Sequence, residues 1–581
     1  MNSELFITNK KKEIKELINS KRLVEAEALM ESYDSIFAND IEALSIKSVI
    51  LIMLNKSDEA EIVLLKGLQK EAYNSELLFN LAYVYESRGE FNKAYDYYLK
   101  SKSYSEDKEL STCIDAVLGN LQKYLCNTNT LEIKRCVSII ILTYNKLEYT
   151  KQCIDSIKKY TPKDAYEIVI VDNNSTDGTR EWLKNQKDIR IIFNDKNLGF
   201  PGGCNTGIKA ALRDNDILLL NNDTIVTPRW LDNLKTCLYS NDNIGAVGSI
   251  TNSCSNYQSI KTDYKSTEEM ISFAEKVNIS NPEKWEQKVR LIGYCMLIKR
   301  SVLNEVGLLD EDFFPGNFED DDLGYRIQLK GYRLMQCNDT FIHHYGSVSF
   351  NDNSGAFNRI IAENTARFIN KWGFDSVENS YVNLPLIKKI YNGIRSPKVL
   401  HIGCGTGATL YRIKYLFKEA EISGVEDNEA VSGIADKFID IKKALIDEDL
   451  NYPENYFDYI ILTDKIEYSI NAEIALMSLS KYLNKEGKIL ITIKNSNYFI
   501  EIIKSLKGSI NAIRKPYRFY NFNEIKELFA RINNFKITME RVISEISPES
   551  KKIIDYFANI SEPQMKLEYM TREYLIICEK I

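Results

Sequence analysis

Carboxylate and amide side chains follow directly after apolar segments in the central third of the chain. Asp172 follows the segment 167–171, and an Asn-Asn-Asp triplet at 221–223 follows the segment 216–220. If these segments are parallel strands, the polar residues collect at the edge where open α/β sheets bind ligands. One carboxylate there can accept hydrogen bonds from a nucleoside, and a second can hold Mg²⁺ or Mn²⁺ against a diphosphate. A single aspartate in such a place most often caps a helix, but several converging strand ends favour a binding site.

Four consecutive acids at 319–322 could supply a general base. A carboxylate that removes the proton from an attacking hydroxyl must be basic near neutral pH. Repulsion among four neighbouring carboxylates could raise the pKa of one of them into that range. The alternative is an exposed acidic turn before a helix, where the helix dipole favours negative charge.

Two shorter motifs also contain residues suited to chemistry. Two of the chain's 3 histidines, His343 and His344, are adjacent, although a lone histidine is more often structural than a metal ligand. The turn Gly403-Cys-Gly-Thr-Gly407 follows an apolar segment, and such a turn lets a backbone approach a ligand at a helix N-terminus. Glu426, after the next apolar segment, is suited to ribose hydroxyls. The glycine pattern alone is weak because it also fits a dinucleotide-binding turn.

The elements that must position these residues alternate between strand and helix after residue 132. In the first series a helix is predicted over 149–159, and buried parallel strands are predicted at 136–145, 167–171, 189–193 and 216–220. In the second series strands are predicted at 398–402, 420–426, 457–463 and 483–493. The segment 372–396 between the two series is less patterned and is predicted to be a linker or docking segment.

The N-terminal third has a helical period and an internal repeat. Ala26, Ala60 and Ala94 keep a spacing of 34 residues, at positions where two helices must approach closely. Over about 13–121 the chain resembles the tetratricopeptide repeat, with a degenerate first repeat. The resemblance implies a concave surface that binds a peptide or protein. The alternative is an amphipathic helical bundle with accidental spacing.

From about 137 to 350 the chain resembles the family 2 glycosyltransferases of the GT-A type. In the donor half the resemblance rests on Thr143, Asn145, Asp172, Asn197, Gly199-Phe-Pro-Gly-Gly203 and Asn221-Asn222-Asp223. It implies that Asp172 binds the nucleoside, that the loop ending at Gly203 binds the donor, and that the triplet is the metal-binding segment. Since two of its three positions are Asn, only Asp223 offers a carboxylate to the metal.

The acceptor half carries the same resemblance in the segment 293–300 and in Glu319-Asp320. It implies that Asp320 of this pair is the general base, although Asp321 or Asp322 could fill that role by position. His344, in His344-Tyr-Gly, fits a late metal ligand. The family transfers sugar in a single displacement that inverts the anomeric carbon, and UDP is the default nucleotide by family frequency alone.

The C-terminal part, over about 398–581, resembles the class I S-adenosylmethionine-dependent methyltransferases. The resemblance implies that the cofactor is held by Gly403, Gly405, Gly407 and Glu426. One departure is Ile466-Glu467-Tyr468, where close relatives have Leu-Glu-His, and no other residue identifies itself as a base. Methyl transfer by positioning alone and a degenerate domain that only packs against its neighbour both stay open.

Composition fits this multidomain interpretation. The chain has 581 residues, 44% hydrophobic and 27% charged, and a formal net charge of -7, which argues against non-specific nucleic-acid binding. The 11 cysteines show no metal or disulfide spacing, and neither a transmembrane run nor a signal peptide is evident, so a cytoplasmic protein is predicted. The predicted domains are helical tetratricopeptide-like repeats at 1–125, an α/β GT-A domain at 134–372 and an α/β Rossmann-like methyltransferase fold at 396–581.

The sequence therefore predicts an inverting, metal-dependent (Mn²⁺ or Mg²⁺) glycosyltransferase that uses a nucleotide-sugar donor. The predicted acceptor is a protein hydroxyl, with flagellin as one example, bound through the repeats. A second activity dependent on S-adenosylmethionine is a candidate. The alternatives are an enzyme of surface-polysaccharide assembly and a scaffold whose enzymatic domains have decayed.

Overall fold

The structure, a computed structural model, describes residues 2–37, 40–88, 91–105, 107–128, 136–346, 354–390, 393–463, 465–507, 518–544 and 546–581. The chain divides into two compact units, Met1–Lys134 and Arg135–Ile581, and each is considered by itself. Among the described residues, no helix is both long and apolar enough to cross a membrane.

The first unit is helical. Its helices are α1 (Asn2–Asn19), α2 (Leu23–Ser32), α3 (Asp34–Phe37), α4 (Ile41–Met53), α5 (Ser57–Leu68), α6 (Ser75–Ser87), α7 (Phe91–Tyr104) and α8 (Lys108–Thr128).

The helix boundaries of this unit repeat at the period that the sequence predicts. The helices α2, α5 and α7 begin 34 residues apart, as do α4 and α6. The side chains of Asp40 and Asn74, also 34 residues apart, cap α4 and α6 by accepting hydrogen bonds from the Ala43 and Leu77 amides. The small residues at the helix crossings are fully buried: Ala26, Ala60 and Ala94. The prediction of a helical repeat is therefore confirmed.

The second unit contains two large sheets. The elements around the first sheet begin with β1 (Val137–Thr143), α9 (Leu147–Tyr160), β2 (Tyr166–Asp172), α10 (Thr179–Leu183), β3 (Arg190–Phe193), α11 (Gly199–Ala210), β4 (Asp216–Asn221), β5 (Thr224–Ile225), α12 (Trp230–Leu238) and β6 (Ile244–Ile250). They continue with α13 (Thr267–Val277), β7 (Trp285–Lys288), β8 (Cys295–Ile298), α14 (Arg300–Val306), α15 (Glu319–Leu329), β9 (Arg333–Phe341), β10 (His343–His344) and α16 (Ser354–Trp372).

The first sheet has the order β3-β2-β1-β4-β8-β6-β9-β7, and β10 pairs with β5 in a separate two-stranded sheet. The strands β1 to β4 are mutually parallel, as predicted, whereas β8 runs antiparallel between β4 and β6. Alternate residues of β1 enter different apolar clusters, Ile139 and Ile141 on one face and Ile140 on the other. Both faces of the sheet are thus buried, which explains why its strands are continuously apolar.

The elements around the second sheet follow in the chain. They begin with α17 (Ser376–Asn379), α18 (Leu384–Ile387), β11 (Lys398–Ile402), α19 (Ala408–Leu416), β12 (Glu421–Val425), α20 (Glu429–Ala435), β13 (Asp440–Lys442) and β14 (Phe457–Thr463). They end with α21 (Ala472–Ser480), β15 (Leu483–Lys494), α22 (Phe499–Leu506), α23 (Phe522–Ala530), β16 (Phe535–Ile543), α24 (Pro548–Ile560), α25 (Lys566–Met570) and β17 (Thr571–Lys580).

The second sheet has the order β13-β12-β11-β14-β15-β17-β16. Its first five strands are parallel, and β17 is antiparallel to both of its neighbours. The order reverses at β11, where open α/β sheets form a ligand crevice. One apolar cluster joins the two parts of this unit, since it contains Phe313 and Tyr325 beside the first sheet together with Val399 and Leu490 of the second. The two sheets therefore share a continuous hydrophobic core.

Candidate functional site

The polar ends of β1, β2 and β4 meet at one edge of the first sheet. The strand register places Thr143 beside Asp172, and Asn221 lies beside the residue that precedes Thr143. Asp172 is fully buried, and one of its carboxylate oxygens accepts a hydrogen bond from the Ser175 amide at 3.2 Å. Its other oxygen, Oδ1, has no partner among the described residues. A buried carboxylate oxygen left in this way is suited to accept a hydrogen bond from a ligand.

Two asparagines hold the loops on either side of this carboxylate. Asn145, in the left-handed region at φ 58°, accepts a hydrogen bond from the Thr176 amide at 2.8 Å. Asn197 accepts hydrogen bonds from the Gly199 amide at 2.8 Å and from the Asn173 side chain at 3.1 Å. Asn173 was not singled out from the sequence, although it directly follows Asp172. These amides fix the shape of the loops that border the strand ends.

Two other residues of the predicted donor site face the protein interior. The Thr143 hydroxyl lies 2.9 Å from the Thr150 hydroxyl of α9. A Cβ atom at Gly203 would lie 2.2 Å from Leu142 Cδ1, so a larger residue would force this leucine to move where α11 packs closely on β1. The structure thus gives these two residues a packing role that positions the loops.

Asp223 and His344 are brought together by the pairing of β5 with β10, which places His344 opposite Thr224. The His344 Nε2 atom lies 3.2 Å from Asp223 Oδ1, and both side chains are buried. The Nδ1 atom of His344 lies 2.7 Å from the Ser253 carbonyl oxygen, which can accept only from a protonated Nδ1. The residue pair therefore holds a carboxylate oxygen and a ring nitrogen 3.2 Å apart.

This pair fits a divalent metal in ligand chemistry. A second hydrogen bond that fixes the ring of a histidine is typical of metal-binding histidines. Within the described residues, no three or more His, Cys, Asp and Glu side chains gather as a metal site, so oxygens of a bound diphosphate would have to complete the shell. Burial lowers the pKa of His344, but the hydrogen bond and charge of Asp223 outweigh it and raise that pKa.

The four acids at the start of α15 are all buried, so the alternative of an exposed acidic turn is wrong. Two of them have cationic partners. Asp321 contacts the Arg290 guanidinium at 2.6 Å, and Asp322 contacts Arg326 at 2.9 Å and Lys371 at 2.6 Å. Carboxylates that are neutralised in this way are poor acceptors for the proton of a substrate hydroxyl.

Among the described residues, no cation contacts Glu319 or Asp320 directly. Asp320 accepts hydrogen bonds from two backbone amides, that of Gly293 at 3.0 Å and that of Asp321 at 2.9 Å. Burial and the Asp321 charge raise the pKa of Asp320 to about 6, against the lowering effects of the Gly293 amide and Arg290. Burial and the Asp320 charge raise the pKa of Glu319 well above its usual range. Of the three candidate aspartates, Asp320 best fits a base that works near neutral pH.

The segment Gly293-Tyr294 connects the acids to the Asp223–His344 pair. The Gly293 amide donates to Asp320, and the next side chain, Tyr294, stacks on the His344 ring with the ring centroids 5.1 Å apart. The Tyr294 carbonyl accepts a hydrogen bond from the Asn221 amide at 2.9 Å. Two consecutive residues thus contact the Asp320 carboxylate and the His344 imidazole.

The glycine turn of the second sheet adopts the conformation that the sequence suggests. Gly403, Gly405 and Gly407 have φ values of 74°, 56° and 86°, in the left-handed region that favours glycine. Glu426, buried at the end of β12, accepts hydrogen bonds from the Gly405 amide at 3.0 Å and the Asn428 amide at 3.1 Å. The residue types fit the ribose side of an adenosyl ligand at a strand-order reversal.

Groups of the chain itself already lie against this turn. The Lys465 ammonium lies 3.3 Å from Glu426 and 2.7 Å from Asp427, and its side chain fills the space where Gly403 would carry a Cβ atom. The Asn379 carbonyl oxygen would lie 2.6 Å from a Cβ atom at Gly405. Lys465 thus already pairs with Glu426, the carboxylate that is suited to the ribose of an adenosyl group. No sequence pattern marks Lys465, because its role depends on a distant loop.

His401 is a poor candidate for a base in this part of the chain. It lies on β11, and its Nε2 atom is 2.8 Å from the Thr463 hydroxyl. Burial, with a smaller effect of the Lys465 charge, lowers the pKa of His401 to about 3.

Comparison with known proteins agrees with this geometry. Residues 138–307 match the family model "Glycosyl transferase family 2", and residues 386–560 match "Methionine biosynthesis protein MetW". The chain thus carries a family 2 glycosyltransferase domain in its central part, as the sequence motifs indicate.

Individual relatives cover only parts of the chain. The low-salt glycan biosynthesis hexosyltransferase Agl10 of Haloferax volcanii is 27% identical over 225 residues, which are 37% of this chain and 70% of that protein. An uncharacterized glycosyltransferase of Haemophilus influenzae is 35% identical over 117 residues, 19% of this chain and 36% of that protein. A crystal structure of an S-adenosylmethionine-dependent methyltransferase from Thermotoga maritima, a possible histamine N-methyltransferase, is 16% identical. It aligns with 39% of this chain and 99% of that chain, with a TM-score of 0.26.

Proposed function

We propose that the chain transfers a sugar from a nucleotide-diphosphate donor to a hydroxyl acceptor, with inversion at the anomeric carbon. The observation that supports this proposal is that Gly293-Tyr294 contacts both the buried carboxylate of Asp320 and the His344 ring of the Asp223–His344 pair. A single displacement needs both features at one reaction centre, a proton acceptor for the nucleophile and a cation site for the leaving group.

Each site residue has one role in the proposed sugar transfer. The free oxygen of Asp172 accepts a hydrogen bond from the nucleoside. Asp223 and His344 would hold a divalent metal, Mn²⁺ or Mg²⁺, whose charge stabilises the departing diphosphate. Asp320 takes the proton of the acceptor hydroxyl while that oxygen bonds to the anomeric carbon. The bond from this carbon to the diphosphate breaks, and the nucleoside diphosphate leaves with the electron pair.

We also propose a class of donor and a class of acceptor. A UDP-sugar is favoured for the donor. A Ser or Thr hydroxyl of a protein, such as flagellin, is favoured for the acceptor because the 34-residue helical repeat of the first unit is an architecture that binds peptides and proteins. A growing surface polysaccharide is the competing acceptor.

The second sheet supports a second candidate function, the binding of S-adenosylmethionine. Its strand order, its three left-handed glycines and the buried Glu426 favour an adenosyl group at the β11 reversal. Bound there, the cofactor would supply an electrophilic methyl group. The chain's own contribution is recognition of the ribose by Glu426, and Lys465 controls access to that carboxylate.

Removal of the metal-binding carboxylate should abolish donor turnover. In Asp223→Ala, we expect metal-dependent release of nucleoside diphosphate to fall about 100-fold or more, since the metal contributes several kcal/mol to catalysis. The release is measured with Mn²⁺ and with EDTA on a panel of UDP-, dTDP- and GDP-sugars. Asp214→Ala, at an exposed position, is the matched control. Turnover in Asp223→Ala equal to that of the wild type would contradict the assignment.

The rate of transfer should fall at acid pH. A base with a pKa of about 6 is protonated below that pH, so we expect kcat to rise with pH through about 6 and then level off. In Asp321→Asn the repulsion from Asp321 is lost, and the acid limb should move to lower pH. The pH profiles of the two proteins are compared under donor saturation. An acid limb that stays in place in Asp321→Asn would exclude Asp320 as the titrating group.

The helical unit should matter for a protein acceptor and not for the donor. A protein that lacks residues 1–125 should hydrolyse the donor within about twofold of the wild type, while transfer to a flagellin monomer should drop at least about tenfold. Both rates are measured with the same radiolabelled donor, and a lipid-linked glycan tests the competing acceptor. Undiminished transfer to the protein would rule out recruitment by this unit.

Release of Glu426 from Lys465 should strengthen adenosyl binding. In Lys465→Ala, we expect the affinity for S-adenosylmethionine to increase about tenfold, the equivalent of one charge-assisted hydrogen bond regained by the ligand. Isothermal titration calorimetry gives the dissociation constants. Lys443→Ala, which breaks an exposed ion pair with Glu429, serves as the control. An affinity no higher than that of the wild type would refute adenosyl binding at Glu426.

A further inference from the structure

Asp321, the neighbour of the proposed base, is held by residues from two different parts of the second unit. Its Oδ1 atom accepts from Arg290 Nε at 2.6 Å, and its Oδ2 atom accepts from the Ser376 hydroxyl at 2.7 Å. Only 1% of the Asp321 surface is exposed. A buried carboxylate with a partner on each oxygen has one orientation, and this orientation is fixed in part by Ser376, the first residue of α17.

The orientation of Asp321 sets the position of Asp320. The Asp321 backbone amide donates to Asp320 Oδ1 at 2.9 Å, while the Gly293 amide holds the other oxygen. A rotation of the first turn of α15 would carry both carboxylates with it. The contacts on Asp321 therefore act on the base through one backbone amide.

Ser376 is itself anchored on the glycine turn of the second sheet. It begins the short helix α17, whose last residue, Asn379, has a carbonyl oxygen that accepts from the Thr406 amide at 3.0 Å and from the Thr406 hydroxyl at 2.7 Å. This approach requires glycine at position 405, where a Cβ atom would lie 2.6 Å from that oxygen. The next residue, Ser380, accepts from Arg290 Nη1 at 3.3 Å, so Arg290 contacts both this segment and Asp321.

We propose that the second sheet completes the base site of the glycosyltransferase, because its glycine turn holds the segment Ser376–Ser380 that clamps Asp321. This inference rests on the function proposed above. Ser376, Arg290 and Thr406 are positioning residues, since they act on the reacting hydroxyl only through Asp321 and Asp320. The structure thus gives the C-terminal part a role in sugar transfer that does not depend on methyl transfer.

The charges around Asp320 agree with this role. The groups that face it are Glu319 and Asp321 of its own helix, Arg290 of the loop after β7, Cys254 of the loop after β6, and the Gly293 amide. Arg290 is the cation in this set, and the segment Ser376–Ser380 that we call the clamp contacts both Arg290 and Asp321. A looser clamp would leave more of the Asp321 charge uncompensated beside the base.

The test is a matched series at Thr406 and Ser376 in the full-length protein. Thr406→Val removes the hydroxyl but keeps the shape, and Thr406→Ser keeps the hydroxyl. We expect kcat for sugar transfer to fall about 3- to 10-fold in Thr406→Val and in Ser376→Ala, the value of one hydrogen bond, with the donor KM unchanged within about twofold. Thr406→Ser should retain the wild-type kcat. Thr538→Val, the same change at an exposed position of β16, is the control.

A double variant tests whether the two residues act through one clamp. Ser376→Ala with Thr406→Val should reduce kcat by much less than the product of the single effects, because either change already releases Asp321. Effects that multiply, or a wild-type kcat in both single variants, would overturn the proposal.

Hydrogen–deuterium exchange gives a readout that does not depend on activity. Amides in peptides that cover 318–326 and 376–380 should exchange faster in Thr406→Val than in the wild type or in Thr538→Val. If the wild type releases no nucleoside diphosphate from any donor, the proposed function fails, but faster exchange would still support the physical link. Unchanged exchange in Thr406→Val would refute the link itself.

Discussion

The candidate site depends on the two-residue backbone segment Gly293-Tyr294, which leads into β8. This strand runs antiparallel beside the end of β4, so its approach passes the strand ends where Asn221 and Asp223 lie. The Gly293 amide donates to Asp320 on one side, and the Tyr294 ring stacks on His344 on the other. If this segment shifted by one residue, its side chains would exchange faces and both contacts would be lost together. The register of this single strand thus constrains both the proposed base and the proposed metal pair.

The four consecutive acids, Glu319 to Asp322, differ in the groups that contact them, and these contacts determine how easily each carboxylate is protonated. Asp321 contacts Arg290, and Asp322 contacts Arg326 and Lys371. Asp320 instead accepts hydrogen bonds from the Gly293 and Asp321 amides, and no described cation contacts it or Glu319 directly. A carboxylate that faces a guanidinium keeps its charge at low cost, and a buried one without a cation is easier to protonate. The fold therefore gives a run of acids different roles, with Asp320 as the proposed base and Asp321 and Asp322 as structural anchors.

Much of the fold and part of the site could be predicted from the sequence, because their signals are local. Continuous apolar segments that end in polar residues predicted β1 to β4 within a residue or two, and the 34-residue spacing of alanines predicted the helical repeat. The differences among the three aspartates could not be predicted in this way. The contacts that distinguish Asp321 from the proposed base, Asp320, come from Arg290 and Ser376, which lie far away in the chain, and no periodic sequence pattern indicates these contacts. Likewise, the ring orientation of His344 depends on a backbone carbonyl at Ser253, and no residue type encodes that contact.

The glycine turn of the second sheet illustrates why a fold does not by itself define a function. A left-handed glycine turn after a parallel strand leaves backbone amides and carbonyls accessible. Any group that needs a close contact with the backbone can therefore bind to such a turn. In this chain the Gly405–Thr406 side of the turn holds the carbonyl of Asn379, and the Gly403 side, with Glu426, lies under Lys465. The two sides meet at Gly405, whose amide donates to Glu426 at 3.0 Å. The same turn is therefore suited to two proposed roles, holding the segment that contacts Asp321 and binding a nucleoside through Glu426, and Gly405 takes part in both.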